Sequence, residues 1–507
     1  MQKNKLIKIA VAVLLIPLVY GVGVYASRAE VRTDARYPER FTPASAFCAG
    51  NAAAQTLRFA PGQEAELQSS LNALAECATI ELAAGRFVFN NALTITGVDG
   101  VTIRGAGQRK TTIQFVDAVN VNGVDVESAN HFTIRDLTII DSPKNAVEIR
   151  LSENILIDAV TTTWSNTGGE SRRKNGAYGF YPVNVVNVLL QNSESFYASD
   201  AGIYVGQCIN AVVRGNLAEH NVMGLEIENT VNADVYDNVV RNNTGGLLVY
   251  DLNNNQIVTR NIRVHRNTVI NNNNDNFGNS GLVKTVPAGV GFILTAAREV
   301  EIFDNTFANN NTTDIALFSG LITETPDFGE WQQNNFRVHS VHIHGNRFNG
   351  ESGDSIDNGE TSVKDRPLGK LMEDLMDVVN DERQAGGQSA IGVPNITYDG
   401  VDDGRTILAL TNTMFGNRAG NHTAICLGQN NSGTITPSFG DLNMPALLNN
   451  AEEPTADSMR AAVRAGDLVI FEDAGADYGG APDQGFRCDG FRATGVPVDF
   501  DAALSLR

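Results

Sequence analysis

The chain has 507 residues, 42% hydrophobic and 19% charged, with 48 glycines and a formal net charge of −20. That length supports a large core and more than one domain, and the composition excludes a wholly disordered chain. The acidic balance disfavours wholesale binding of nucleic acid or of an anionic membrane, so a polyanionic ligand would need a local basic patch.

At the N-terminus, Lys3, Lys5 and Lys8 precede an apolar run from Ile9 to Ala26. Val24-Tyr25-Ala26 offers small residues for cleavage, and Ser27-Arg28-Ala29 is a second candidate. Residues 1–26 therefore read as an export signal peptide, with an uncleaved anchor as the alternative. No other segment has the pattern of a membrane span. Removing residues 1–26 takes the net charge to −23. A periplasmic or secreted location follows, and five cysteines suit it. Their positions predict the disulfides Cys48–Cys77 and Cys426–Cys488, with Cys208 as a lone buried thiol. The CxxC, CxxCH and HExxH signatures of zinc, haem and redox sites are absent.

Residues 62–76 carry Leu67, Leu71 and Leu74 at helical spacing, which predicts a helix covering one end of the fold. Residues 79–89 then open a first strand pair. From there a six-residue form recurs: AVVRGN (211–216), ADVYDN (233–238), IRVHRN (262–267), VEIFDN (300–305) and VHIHGN (341–346). Earlier copies without the Asn stand at 101–106, 132–137, 155–160 and 188–193. A second strand precedes most copies, as in GIYVGQ (202–207), GLEIEN (224–229) and GLLVYD (246–251). A short strand cannot bury one face alone, so these units stack on their own copies about every 22 residues, as the rungs of a parallel β-helix. The solenoid is expected over residues 56–350. Asn tolerates left-handed backbone angles and bonds neighbouring backbone groups, so Asn216, Asn238, Asn267, Asn305 and Asn346 are expected at corners as a ladder of stacked amides.

Beyond Gly350 the repeat fails. Residues 369–384 form an amphipathic helix pattern, 406–417 a late rung and 458–466 a short helix. Residues 351–507 are therefore expected as an irregular α+β C-terminal region.

Alternation turns one face of every strand outward. On the first strand of each rung one outward column reads Asp125, Glu148, Tyr181, Tyr204, Glu226, Leu248, and a second reads Glu127, Arg150, Val183, Gly206, Glu228, Tyr250. Tyr181 and Tyr204 are expected one above the other. Aromatic faces beside carboxylates suit sugar rings, and paired carboxylates can divide acid and base roles. The candidate catalytic residues are Tyr181, Tyr204, Asp200, Glu226 and His220. The candidate substrate-binding residues are Arg172, Arg173 and Lys174, on an inserted loop, with Tyr178, Glu148 and Glu228. Ordinary strand and loop solvation is the competing reading of each. His342 and His344 face the same way and could be a metal pair, but no third ligand is evident. No cofactor is expected beyond a possible calcium ion on the oxygen-rich run 271–276.

The rungs, the capping helix and the stretches NGAYGFYPV (175–183), SDAGIYVGQ (199–207) and GLEIEN resemble the pectin lyase-like superfamily of right-handed parallel β-helices. More narrowly they resemble a group of exported bacterial parallel β-helix proteins carrying NGAYGxYPV and SDAGIYVGQ. The resemblance covers residues 56–350, and GFRCDGF (485–491) extends it. It implies an all-β, right-handed parallel β-helix, carbohydrate chemistry and an exported, cytochrome-like partner protein. The signatures of individual enzymes are missing. There is no Asp-Pro-His, no Arg-x-Pro-x-x-Arg, and the paired Asp402-Asp403 stands outside the repeat. Two functions follow. One is a lyase or epimerase acting on an acidic polysaccharide, with a tyrosine moving the proton and the loop cations neutralising the uronate. The other is a non-catalytic module that binds a glycan or a protein along the solenoid.

Overall fold

A computed structural model of the chain describes residues 40–252, 255, 257–279, 281–320, 338–350, 367–401, 425–430, 432–444, 447, 455–466, 468–471 and 492–504. The signal peptide at 1–26, the late rung at 406–417 and Cys488 lie outside them.

The repeat folds as the period requires. One complete rung consists of strands Ala201–Gly206, Ile209–Arg214 and Leu217–Glu219. The next repeats it as Met223–Glu228, Val231–Tyr236 and Val239–Arg241. Each strand pairs in parallel with its counterpart one turn on, as Ile203 with Leu225, Val213 with Val235 and Ala218 with Val240, so the first, second and third strands of the rungs line up as a first, second and third sheet. The inward file Ile203, Leu225, Leu247, Phe292, Ile315, Ile396 and Phe439 runs through seven successive layers. All seven side chains are buried, each worth about 1.5–3 kcal/mol relative to exposure. A single rung has no second layer to pack on, so the core exists only as this stack.

The corners correct one expectation. The left-handed residue is the one before each repeat Asn: Gly215, Asp237, Arg266, Asp304 and Gly345 all have positive φ. The Asn side chain instead closes the corner by hydrogen bonding. Asn216, Asn238, Asn267 and Asn305 each donate from Nδ2 to the Oδ1 of the next Asn, and the ladder continues through Asn346 to Asn430. A second ladder joins Asn221, Asn243, Asn272 and Asn310. A third joins Asn187, Asn210, Asn232 and Asn261, all at left-handed angles. Buried backbone groups at corners need partners, and these amides provide them.

At the N-terminal end the helix Glu64–Leu71, shorter than the predicted 62–76, buries Leu67 and Leu71 over the first strands. Cys48 and Cys77 form a disulfide beside it. Cys426 is also disulfide-bonded, and Cys208 is a buried free thiol. Past Gly350, Ile396–Tyr398, Ile425–Gly428 and Phe439–Asp441 extend the rungs. Among the described residues the parallel stack ends where Phe439–Asp441 pairs antiparallel with Val469–Phe471. The helices Pro367–Ala385 and Ala456–Ala465 share a separate small core around Met372, Leu375 and Met459. Residues 492–504 then run back along the outside of the solenoid, and Phe500 reaches Phe41. Among the described residues no helix is long and apolar enough to cross a membrane.

Candidate active site on the first sheet

The tyrosine column forms as the register demands. Phe180 pairs with Val147 on one side and Ile203 on the other, so Tyr181 lies between Glu148 and Tyr204, and Tyr204 pairs with Glu226. The rings of Tyr181 and Tyr204 stack with centroids 4.5 Å apart. Tyr178, arriving from the inserted loop, packs on both, at 4.6 Å from Tyr181 and 5.1 Å from Tyr204. Tyr204 leans along its own strand over Gly206, where an added Cβ would stand 2.0 Å from its hydroxyl oxygen. Glycine is required there by this close approach.

Beside the rings lies a carboxyl group cluster, with Glu226 and Glu228 buried and Asp200 half-buried. Tyr204 and Tyr250 each donate to Glu228 Oε2 at 2.8 Å, and Asn255 donates to Glu228 Oε1 at 3.1 Å. Tyr250 also reaches Glu226 Oε2 at 3.3 Å. Asp200 and Tyr178 share a side-chain hydrogen bond. Among the described residues no Arg, Lys or His forms an ion pair with Asp200, Glu226 or Glu228. Burial, with the nearby charge of Glu228, pushes Asp200 up to about 7, against the opposing bond from Tyr178. Burial and then Asp200 and Glu228 hold Glu226 well above the usual carboxylate range. Burial, helped by Glu228, pushes Tyr181 up to about 12 and raises Tyr204 far above an ordinary phenol. The phenols are therefore neutral near pH 7 and cannot serve as resting bases, while Asp200 can hold or release a proton.

Access differs between the two central tyrosines. Tyr181 is half-buried, whereas Tyr204 is only 2% exposed. The expected outward direction of Tyr204 is met, but Val286 and Leu248 join the tyrosines in one apolar cluster, and the column is roofed. Tyr181 and Tyr178 are the rings a ligand can meet first.

The remaining predicted site residues stand apart. Glu148 accepts from Asn145 at 2.7 Å and pairs with Arg150, which also binds Asp125 and Glu127. It supports the column from one rung away. Arg173 donates to the carbonyls of Gly278 and Asn276 and to Glu170, and Arg172 lies 4.3 Å over the ring of Phe277. These two cations pin the inserted loop to residues 276–279; no described contact places them on the tyrosines. Lys174 is exposed. His220 stacks on Tyr197 at 5.2 Å and lies 3.7 Å from Glu219, at a corner with no described contact to the cluster. In the run 271–276, the side-chain oxygens of Asn272, Asn273 and Asn276 accept from Asn243, Asn311 and Gly278. Those oxygens are committed to the fold. Sequence reasoning omitted Tyr250, although its column position beside Glu228 was visible.

Residues 99–279 match the family model described as right handed beta helix region. This stretch is a right-handed β-helix. It contains the tyrosines and the carboxyl groups of Asp200, Glu226 and Glu228. No curated protein matches the chain. Among solved structures, the A-module of mannuronan C-5 epimerase AlgE6 from Azotobacter vinelandii is 19% identical with a TM-score of 0.38, covering 57% of this chain and 83% of that one. Pectate lyase Pel9A is 12% identical with a TM-score of 0.38, covering 61% and 80%. The polygalacturonase from Erwinia carotovora ssp. carotovora is 13% identical with a TM-score of 0.40, covering 66% and 100%.

Proposed function

We propose that this protein is an exported, carbohydrate-active enzyme that works on the face formed by Tyr178, Tyr181, Asp200, Glu226 and Glu228. The observation that carries the reading is the tilted pair Tyr178–Tyr181, with ring centroids 4.6 Å apart, set against Asp200, an acid pushed up to about 7. A sugar ring lies on the half-buried tyrosines, and its reacting carbon meets a carboxyl group that exchanges a proton near neutrality. Tyr204 and Tyr250 hold Glu228 in place and do not themselves act as bases.

Within that reading the reaction is lyase or epimerase chemistry on an acidic polysaccharide. Both need a base for the proton beside the sugar carboxylate, and both need that carboxylate neutralised or hydrogen-bonded. Arg172 and Arg173 are spent on loop docking, so protonated Glu226 takes that part as a hydrogen-bond donor to the uronate, while ionised Asp200 accepts the proton. The disulfides at Cys48–Cys77 and Cys426 support export. We assign no cytochrome-like partner, which only the resemblance suggested.

The test is a panel of uronate polymers incubated in heavy water with the folded protein. Lyase activity appears as new ultraviolet absorbance from a double bond, and epimerase activity as deuterium at the inverted carbon. Asp200→Asn is expected to abolish either signal. Absence of both signals on every polymer, with the far-ultraviolet signature of a folded β-helix intact, rejects the proposal.

A further inference from the structure

The second sheet carries a different cluster, apart from the tyrosine face. Val300 pairs with Val341, so Glu301 and His342 are neighbours in one outward column, and His344 lies two residues further on the same strand. One ligand atom of each of Glu301, His342 and His344 lies within 4.8 Å of the others. A single nitrogen stands among them. Arg492 Nη1 is 2.9 Å from Glu301 Oε1, 2.7 Å from His342 Nδ1 and 2.6 Å from His344 Nε2.

We propose that Glu301, His342 and His344 form a divalent transition-metal site whose centre Arg492 occupies, so that metal binding and seating of Arg492 exclude one another. Two imidazole nitrogens and one carboxylate oxygen are a donor set suited to zinc, nickel or copper, and leave an open coordination position. The guanidinium is a poor substitute. Nη1 carries two hydrogens for three partner atoms, and His344 Nε2 also lies 2.9 Å from Glu301 Oε1, so its pairing depends on which imidazole nitrogens carry protons, whereas a metal takes all three lone pairs at once. The ligands come from adjacent rungs of a rigid stack, which fixes their spacing without the metal. Glu301 is nearly buried, with 6% of its side chain exposed, and needs a positive partner; Arg492 is 57% exposed and can swing into solvent. The adjoining segment stays anchored by other contacts, since Ala493 N donates to Glu301 Oε2, Gly495 N to Asn261, and Asp501 pairs with Arg214. Release of Arg492 is thus a local event.

The test is calorimetric titration of zinc into chelator-stripped full-length protein. Arg492→Ala is expected to bind one zinc per chain at least about tenfold more tightly than the unaltered protein, and adding His342→Ala or His344→Ala to it is expected to lose at least about tenfold in affinity. Arg492→Gln, which keeps bulk without charge, serves if the alanine variant does not fold. Equal zinc affinity with and without Arg492 overturns the proposal, as does zinc binding that survives removal of both histidines.

Discussion

Tyr204 and Tyr181 stack face to face at 4.5 Å, yet they face different worlds: one is sealed and the other borders solvent. The seal depends on Gly206, over which the Tyr204 hydroxyl lies to reach Glu228. Gly206→Ala is expected to push that ring off Glu228 and to cost about 1–3 kcal/mol in urea unfolding, the usual range for overpacking. The near-ultraviolet tyrosine circular dichroism should change with it. A variant with unaltered stability and spectrum would show that the ring has room the packing does not suggest.

The buried acids give the solenoid a pH dependence with a definite sign. Asp200 titrates at about 7 in the folded protein but near 4 when unfolded. Between those values the folded state holds a proton that the unfolded state has lost, so stability falls as pH rises through the window. Asp399, pushed up to about 6 by burial, acts in the same direction. His265, lowered to about 4 by burial and by Arg266, acts oppositely and adds stability as pH rises from about 4 to its ordinary value. The difference between the native protein and Asp200→Asn isolates the first term. Thermal melts at about pH 5 and about pH 8 should show the variant gaining relative stability at the higher pH. Parallel pH profiles for the two proteins would mean that Asp200 is ionised like an ordinary surface acid.

Much of this was legible because a solenoid turns a one-dimensional pattern into a three-dimensional one. Once the period was known, alternation alone placed Ile203 inside, Tyr204 outside and Tyr181 upon it. The same logic could have supplied Glu301, which holds the place in VEIFDN that His342 holds in VHIHGN. What periodicity could not supply is the path of the connections. Nothing in residues 166–183 says that Arg173 will bond the Gly278 carbonyl, because the loop departs from the repeat and is placed by whatever surface it meets. Arg492 is beyond reach for the same reason, nearly two hundred residues along the chain from its carboxylate partner. The left-handed residue before each Asn was missed because Gly, Asp and Arg share no side-chain chemistry at that position; only the backbone geometry unites them.

The amide ladder makes a quantitative expectation. Asn267 accepts from the Asn238 backbone nitrogen at 3.0 Å and from its side chain at 2.9 Å, and donates to the Val235 carbonyl at 2.9 Å. Asn267→Ala would leave buried donors and an acceptor without partners, each costing about 1–3 kcal/mol. The loss should exceed that of Asn261→Ala, whose ladder position is only partly buried. Chemical denaturation of the two variants side by side decides the order, and a reversed order would put the stabilising weight on the left-handed ladder instead.

Phe41 and the segment 492–504 meet on the outside of the solenoid, which makes their fates dependent. Phe500 packs 4.6 Å from Phe41, and both rest with Val498 on Leu156, Leu189 and Val212. Those three residues are outward positions on the second sheet, apolar where solvent would otherwise reach them, so the strap 492–504 covers surface that cannot be left bare. Phe500→Ala removes a nearly buried ring, worth about 3–5 kcal/mol in a packed core. Because the inner stack does not rely on that ring, the loss should appear locally. Limited proteolysis is expected to cut near residue 500 and before Phe41 at similar, raised rates, while amide exchange in the strand Ile209–Arg214 stays slow. Cleavage at one of the two sites alone would show that the two segments are held independently.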